Sequence, residues 1–237
     1  MPIAMPVTDT VFLIDVDNTL LDNDAVEHDL HEYLRAQFGV PAEARYWALF
    51  EQLRAELGYA DYLGALQRYR LEHPRDPHLL SVSLFLVDYP FEDRLYARAL
   101  QTLRSLNAVA PAVILSDGDV VFQPRKVARS GLWAAVEGRV LIYIHKEQML
   151  EDVAQRYPAR RYVMIDDKIR ILSAMKAVWK ERLLTVFVRQ GHYAHAPDVA
   201  SYPQADLTVD EIAGLEAVNW DQRLAMPPAA TGGPIST

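Results

Sequence analysis

Asp15 and Asp17 are two carboxylates separated by a single residue in Asp15-Val16-Asp17-Asn18-Thr19, directly after the apolar run Val11-Phe12-Leu13-Ile14. Such a run reads as a buried strand, and in an open α/β sheet ligands bind beyond the carboxyl ends of the strands. Carboxylates this close repel one another unless a cation or a shared proton lies between them. The same residues can instead serve only to cap the following helix. Asp-x-Asp recurs at Asp22-Asn23-Asp24 and Asp117-Gly118-Asp119, but only the first instance follows four apolar residues. None is a calcium loop. Counted from Asp15, the fifth ligand position is Thr19, the sixth lacks glycine and the twelfth is Val26 where Glu is required.

Three further apolar runs end in polar residues. Ala112-Val113-Ile114-Leu115 leads into Ser116-Asp117-Gly118, a hydroxyl followed by a glycine whose backbone can approach an anion closely. Val140 to Ile144 leads into His145-Lys146-Glu147, and Tyr162 to Ile165 into Asp166-Asp167-Lys168. A fifth run, Leu183 to Val188, ends in Arg189-Gln190-Gly191. Lys146 is one of five lysines, with 126, 168, 176 and 180, and opens a helix-like stretch to Tyr157. There a cation opposes the helix dipole by about 0.3–1 kcal/mol, a conflict that a bound anion removes.

The ordered set resembles the haloacid dehalogenase-like (HAD) hydrolase superfamily from about Val11 to Val218. That resemblance implies an α/β fold, a Rossmann-like three-layer core with a parallel sheet and an inserted all-helical cap of the C1 type. It implies Asp15 as nucleophile and Asp17 as general acid and base, with Ser116 and Lys146 completing the catalytic set. Ser116, Asp117, Gly118 and Lys146 would bind the substrate phosphate, and Asp15, Asp17, Asp166 and Asp167 would hold Mg²⁺. One departure matters. The family often carries a further carboxylate four residues past the main metal aspartate, and here that position is Ile171. Asp167 aligns with the usual ligand, and Asp166 is positioned to supply the missing carboxylate.

The implied reaction explains the residue types. Attack of a carboxylate on phosphorus gives an aspartyl-phosphate, dividing one hard hydrolysis into two displacements. Mg²⁺ takes hard oxygen ligands and offsets the repulsion between an anionic nucleophile and an anionic substrate. Asp17 would protonate the leaving oxygen and then take a proton from the attacking water. The expected activity is that of a phosphatase on a small phosphorylated metabolite. The alternatives are a phosphoryl mutase, a 2-haloacid dehalogenase or a non-catalytic ligand-binding relative.

Composition is compatible with this. The 237 residues carry a net charge of −8 with no offsetting basic stretch, which argues against a nucleic acid as the main partner. Cysteine is absent, so thiol catalysis and cysteine-ligated zinc are excluded. No stretch is long enough to span a bilayer, and a soluble cytoplasmic protein is expected.

Residues 21–92 read as helical and as the cap, with 1–20 and 93–225 forming the core. Val26, Leu30, Leu34 and Phe38 repeat at helical spacing up to the stop Gly39-Val40-Pro41; Leu49, Phe50, Leu53 and Leu57 form a second stripe, Tyr62 to Leu71 a third and Leu79 to Val87 a fourth. A helix over Asp93 to Asn107 returns to the core. The cap has no lysine, so relatives that cleave carbon–phosphorus bonds through a cap-lysine Schiff base are poor models. Its aromatics Tyr33, Tyr46, Trp47, Phe50, Tyr59, Tyr62 and Tyr69 suit packing, or stacking on a substrate. His28 with His31 and His192 with His195 are spaced one turn apart, but no third metal ligand accompanies either pair. Ala205 to Val209 reads as a last strand, Asp210 to Val218 as an N-capped helix, and 226–237 as a loose Pro/Gly-rich tail.

Overall fold

The computed structural model describes residues 7–225; the expected tail over 226–237 lies outside the described residues. Six strands form one parallel sheet: β1 (Thr8–Ile14), β2 (Ala112–Asp117), β3 (Val140–Tyr143), β4 (Ala159–Asp166), β5 (Leu183–Val188) and β6 (Leu207–Val209), in the order β3-β2-β1-β4-β5-β6. Their apolar runs are continuous because helices cover both faces of the sheet. Successive side chains point to opposite faces, and the packing follows that parity. Phe12, Ile14, Ile114, Val163 and Val186 enter one core cluster, whereas Val11, Leu13, Val113, Met164 and Phe187 enter the other.

Between β1 and β2 the chain builds α1 (Asn23–Phe38), α2 (Val40–Leu57), α3 (Tyr62–Glu72) and α4 (Leu79–Asp88). Asp22 opens α1 by accepting the Ala25 N–H at 2.9 Å, so the capping role falls to Asp22 and not to Asp15 or Asp17. Gly39, at φ +80°, both ends α1 and begins α2, which stops in turn at Gly58, φ +81°. The helices face inward through Val26, Leu30, Leu34, Leu49, Phe50 and Leu53. Full burial of such a side chain contributes about 1.5–3 kcal/mol.

The remaining helices are α5 (Ala99–Val109), α6 (Phe122–Arg129), α7 (Leu132–Ala135), α8 (Leu150–Arg156), α9 (Ile169–Trp179) and α10 (Trp220–Ala225). Residues from α5, α6, α7 and α10 pack on one side of the sheet and those from α8 and α9 on the other, giving three layers. No described helix is long and apolar enough to cross a membrane.

The expected helix over Asp93 to Asn107 is broken. A short turn at Phe91–Arg94 is followed by extended Leu95, which bridges to Leu21, and α5 begins only at Ala99. Asp22 N–H donates to Arg94 O at 2.8 Å and Tyr96 N–H to Leu20 O at 3.0 Å. These bonds tie together the two chain crossings that join α1–α4 to the sheet. A continuous helix would forfeit them. The other helix expectations also shorten: 146–148 is a 3₁₀ turn ahead of α8, and 212–217 is a 3₁₀ turn without a side-chain cap from Asp210.

Candidate active site

Strand register brings the polar ends together. Leu13 pairs with Met164 and Ile14 with Ile165, so Asp15 emerges beside Asp166; Asp15 N–H donates to Ile165 O at 3.0 Å. On the other side Ile14 pairs with Ile114, which places Ser116 two residues beyond the end of β1. The chain then turns tightly. Val16 O accepts from the N–H groups of Thr19, Leu20 and Leu21, and Asn18 takes φ +60°, a left-handed conformation that asparagine tolerates. The turn sends Thr19 back to the strand end, where its hydroxyl donates to Asp15 Oδ2 at 3.3 Å and accepts the Asp167 N–H at 3.1 Å.

Asp15, Asp166 and Asp167 are buried and can each present an oxygen within 4.8 Å of the others. Lys146, 1 % exposed, bonds Asp15 Oδ1 and lies 2.7 Å from Asp166 Oδ2. Burial alone would lower the Lys146 pKa, but Asp15, Asp166 and Asp117 outweigh it and hold the ammonium protonated. The carboxylates still outnumber their cations. Burial, opposed by Lys146 and reinforced by Asp166, pushes Asp15 up to about 7. Burial and the adjacent Asp166 push Asp167 well above the usual carboxylate range. Both Asp167 oxygens are buried without a hydrogen-bond partner among the described residues. Asp166, in contrast, accepts the Lys168 N–H at 2.8 Å and faces Lys146, so Asp167 has the freer coordinating oxygens. Three hard oxygen donors with excess negative charge fit a divalent cation.

Asp17, expected among the metal ligands, is not part of this carboxylate cluster. Its Oδ1 accepts from Lys126 Nζ at 2.6 Å and its Oδ2 from Gln123 Nε2 at 3.2 Å, turning the side chain toward α6. Ser116 Oγ accepts from the same Gln123 amide at 2.9 Å. Of the other residues expected to bind phosphate, Asp117 accepts the Lys146 backbone N–H at 2.7 Å and Gly118 donates its N–H to Tyr143 O at 2.9 Å. These bonds shape the loop and use the Gly118 donor. Glycine is needed here, since at φ +152° a Cβ would come within 2.9 Å of Gln123 Cβ.

Asp17, Asp117, Gly118 and Lys168 form one wall of a cavity of about 580 Å³, and Phe50, Arg54, Tyr59, Ala60 and Tyr62 form the facing wall from α2, α3 and the loop between them. Arg54 hydrogen-bonds Tyr193 OH across it, and Lys168 Nζ lies 4.5 Å above the Tyr193 ring. Of the aromatics singled out, Phe50, Tyr59 and Tyr62 line the cavity, whereas Tyr46 and Tyr69 are packing residues and Trp47 stacks on His31 at 4.0 Å. His31 accompanies Glu43 at 2.7 Å, while His192 pairs with Asp24 at 2.6 Å and also lines the cavity.

Sequence reasoning missed Thr19, Gln123, Lys126 and Lys168. Lys168 was named in the run Asp166-Asp167-Lys168 but given no role. The signal for Gln123 and Lys126 was two polar residues on the face of α6 that also carries Phe122 and Val127.

A family model for haloacid dehalogenase-like hydrolases matches residues 10–178. A haloacid dehalogenase-like hydrolase of Burkholderia xenovorans LB400 is 64 % identical, with a TM-score of 0.85 over 90 % of this chain and 99 % of that one. A family member of Xanthomonas campestris is 19 % identical, with a TM-score of 0.63 over 93 % and 96 %. The L-2-haloacid dehalogenase of Xanthobacter autotrophicus, with chloropropionic acid covalently bound, is 17 % identical, with a TM-score of 0.56 over 89 % and 98 %. The last two likenesses show the fold alone. No curated protein matches.

Proposed function

The chain belongs to the haloacid dehalogenase-like hydrolase family, and on that premise we propose that it is a Mg²⁺-dependent phosphatase acting on a small phosphate monoester, with α1–α4 as its cap. The observation that carries this reading is the buried cluster of Asp15, Asp166 and Asp167, in which Asp167 keeps two oxygens without a hydrogen-bond partner among the described residues. Those three carboxylates would hold the ion, which when bound offsets the charge that separates an anionic nucleophile from an anionic phosphate.

Lys146 and Thr19 orient Asp15 through its two oxygens. Asp15 attacks phosphorus, an Asp–O–P bond forms as the ester P–O bond breaks, and the leaving oxygen takes its proton from Asp17. Asp17 then accepts a proton from the water that attacks phosphorus and frees Asp15. Asp17 also weighs against dehalogenation, since a halide departs without a proton and gives such a group no task. The cavity, about 580 Å³ and mixed in lining, suits a small ligand.

Free-phosphate detection across a panel of phosphorylated metabolites tests the proposal. Release should require Mg²⁺, vanish with chelator, return on readdition and be absent in Asp15→Asn. Full activity in demetallated protein, or halide release from 2-haloacids with no phosphate from any ester, would overturn it.

A further inference from the structure

Lys126 is 1 % exposed, and the reaction as written assigns it no task. It lies on α6, whose start is set by Asp119 accepting the N–H groups of Val121 and Phe122 at 2.8 and 2.7 Å. Gln123 and Lys126 are three residues apart and therefore project from the same helix face. The ammonium donates to Asp17 Oδ1 at 2.6 Å and to Asn23 Oδ1 at 2.8 Å. Gln123 donates to Asp17 Oδ2 at 3.2 Å and to Ser116 Oγ at 2.9 Å. Both oxygens of Asp17 are thus held from one helix, and the same amide ties Ser116 into the arrangement. Asn23 extends it to the opposite wall, where its amide reaches Tyr62 OH and Glu27 at 3.3 Å each.

We propose that Lys126, assisted by Gln123, is a positioning residue that fixes the Asp17 carboxylate at the cavity wall; this rests on the phosphatase reading, in which Asp17 carries the proton. Stability offers a weak reason for a lysine here. Replacing a buried ion pair with apolar groups of similar volume is often neutral or stabilising, so fold maintenance does not demand an ammonium at this point. Geometry does, because a proton carrier misplaced by about 1 Å can lose on the order of 10²-fold in rate.

The test is a double-mutant cycle on a series of aryl phosphates running from para-nitrophenyl to phenyl phosphate. Lys126→Met should lower kcat by about 10–100-fold on phenyl phosphate and less on para-nitrophenyl phosphate, whose leaving group needs less protonation. KM should stay within about twofold if ground-state binding is untouched. In an Asp17→Asn background the same substitution should cause no further loss. Circular dichroism checks folding, and Gln123→Met carries the same expectation if Lys126→Met does not fold. Equal losses across the series, or an undiminished loss in the Asp17→Asn background, would overturn the inference and leave the phosphatase reading standing. Absence of phosphate release from wild-type protein on every ester would overturn both.

Discussion

Thr19 joins two of the carboxylates through one hydroxyl, donating to Asp15 and accepting from the Asp167 N–H. Thr19→Val keeps the shape and removes both bonds in a fully buried place, at an expected cost of about 1–3 kcal/mol in urea unfolding. The accompanying loss in kcat should be about 10–100-fold. Unchanged kinetics in a folded variant would show that the strand ends alone set the geometry. Metal affinity separates the adjacent aspartates. Asp167→Asn should weaken Mg²⁺ binding in calorimetry more than Asp166→Asn, because Asp166 is already engaged by Lys146 and the Lys168 N–H. Equal effects would contradict that assignment. Asp15, Asp17, Ser116, Lys146 and the Asp166-Asp167 pair were all legible as polar residues ending apolar runs. The direction of Asp17 was not, because its partners sit more than 100 residues away on α6, and contacts across such a separation have no periodicity to betray them.

Among the elements, the sheet was the most readable, since five of its six strands are apolar runs and β6 is the shortest. The connections were less so. The break between Phe91 and Ala99 comes from backbone bonds to Leu20, Leu21 and Asp22, a demand of the tertiary fold that overrides the local helical pattern. Asp206 gives a test at this scale, because it staples α9 to β5 by accepting from Lys176 Nζ at 2.8 Å and from the Thr185 N–H and hydroxyl at 2.8 and 2.9 Å. Burial raises its pKa, but the bonds from Lys176 and Thr185 outweigh that and leave it below the ordinary range. A carboxyl depressed in the folded state stabilises fully above its unfolded pKa of about 3.9 and loses that contribution as pH falls through the folded value. Asp206→Asn should therefore cost about 1–2 kcal/mol at pH 7, allowing for solvent screening of this partly exposed group. The gap from wild type should narrow below about pH 4 in thermal unfolding. A gap that stays constant with pH would assign the effect to packing.

For the whole molecule, Asp15, the proposed nucleophile, is 3 % exposed and is absent from the cavity wall, while Arg54 reaches across to Tyr193 and a Cβ on Gly58 would come within 2.7 Å of His145. On the phosphatase reading, the expected route to Asp15 is a parting of α1–α4 from the sheet. The chain has no cysteine, so a bismaleimide bridge between Arg54→Cys and Tyr193→Cys would be unambiguous. Bridging should stop turnover that the unbridged variant retains; unimpaired turnover would show that the site is reached without separation. The organisation into sheet and inserted helices was legible because helical periodicity fills 21–92. Which of its aromatics face the cavity was not, since Phe50 and Tyr62 carry the same spacing whether they meet a core or a ligand. The central claim concerns where the phosphoryl group goes. Wild-type protein turning over a phosphate monoester with Mg²⁺, quenched in acid and digested, should carry phosphate on the peptide containing Asp15, and Asp15→Asn should carry none. Steady phosphate release with that peptide unmodified at every quench time would contradict the account.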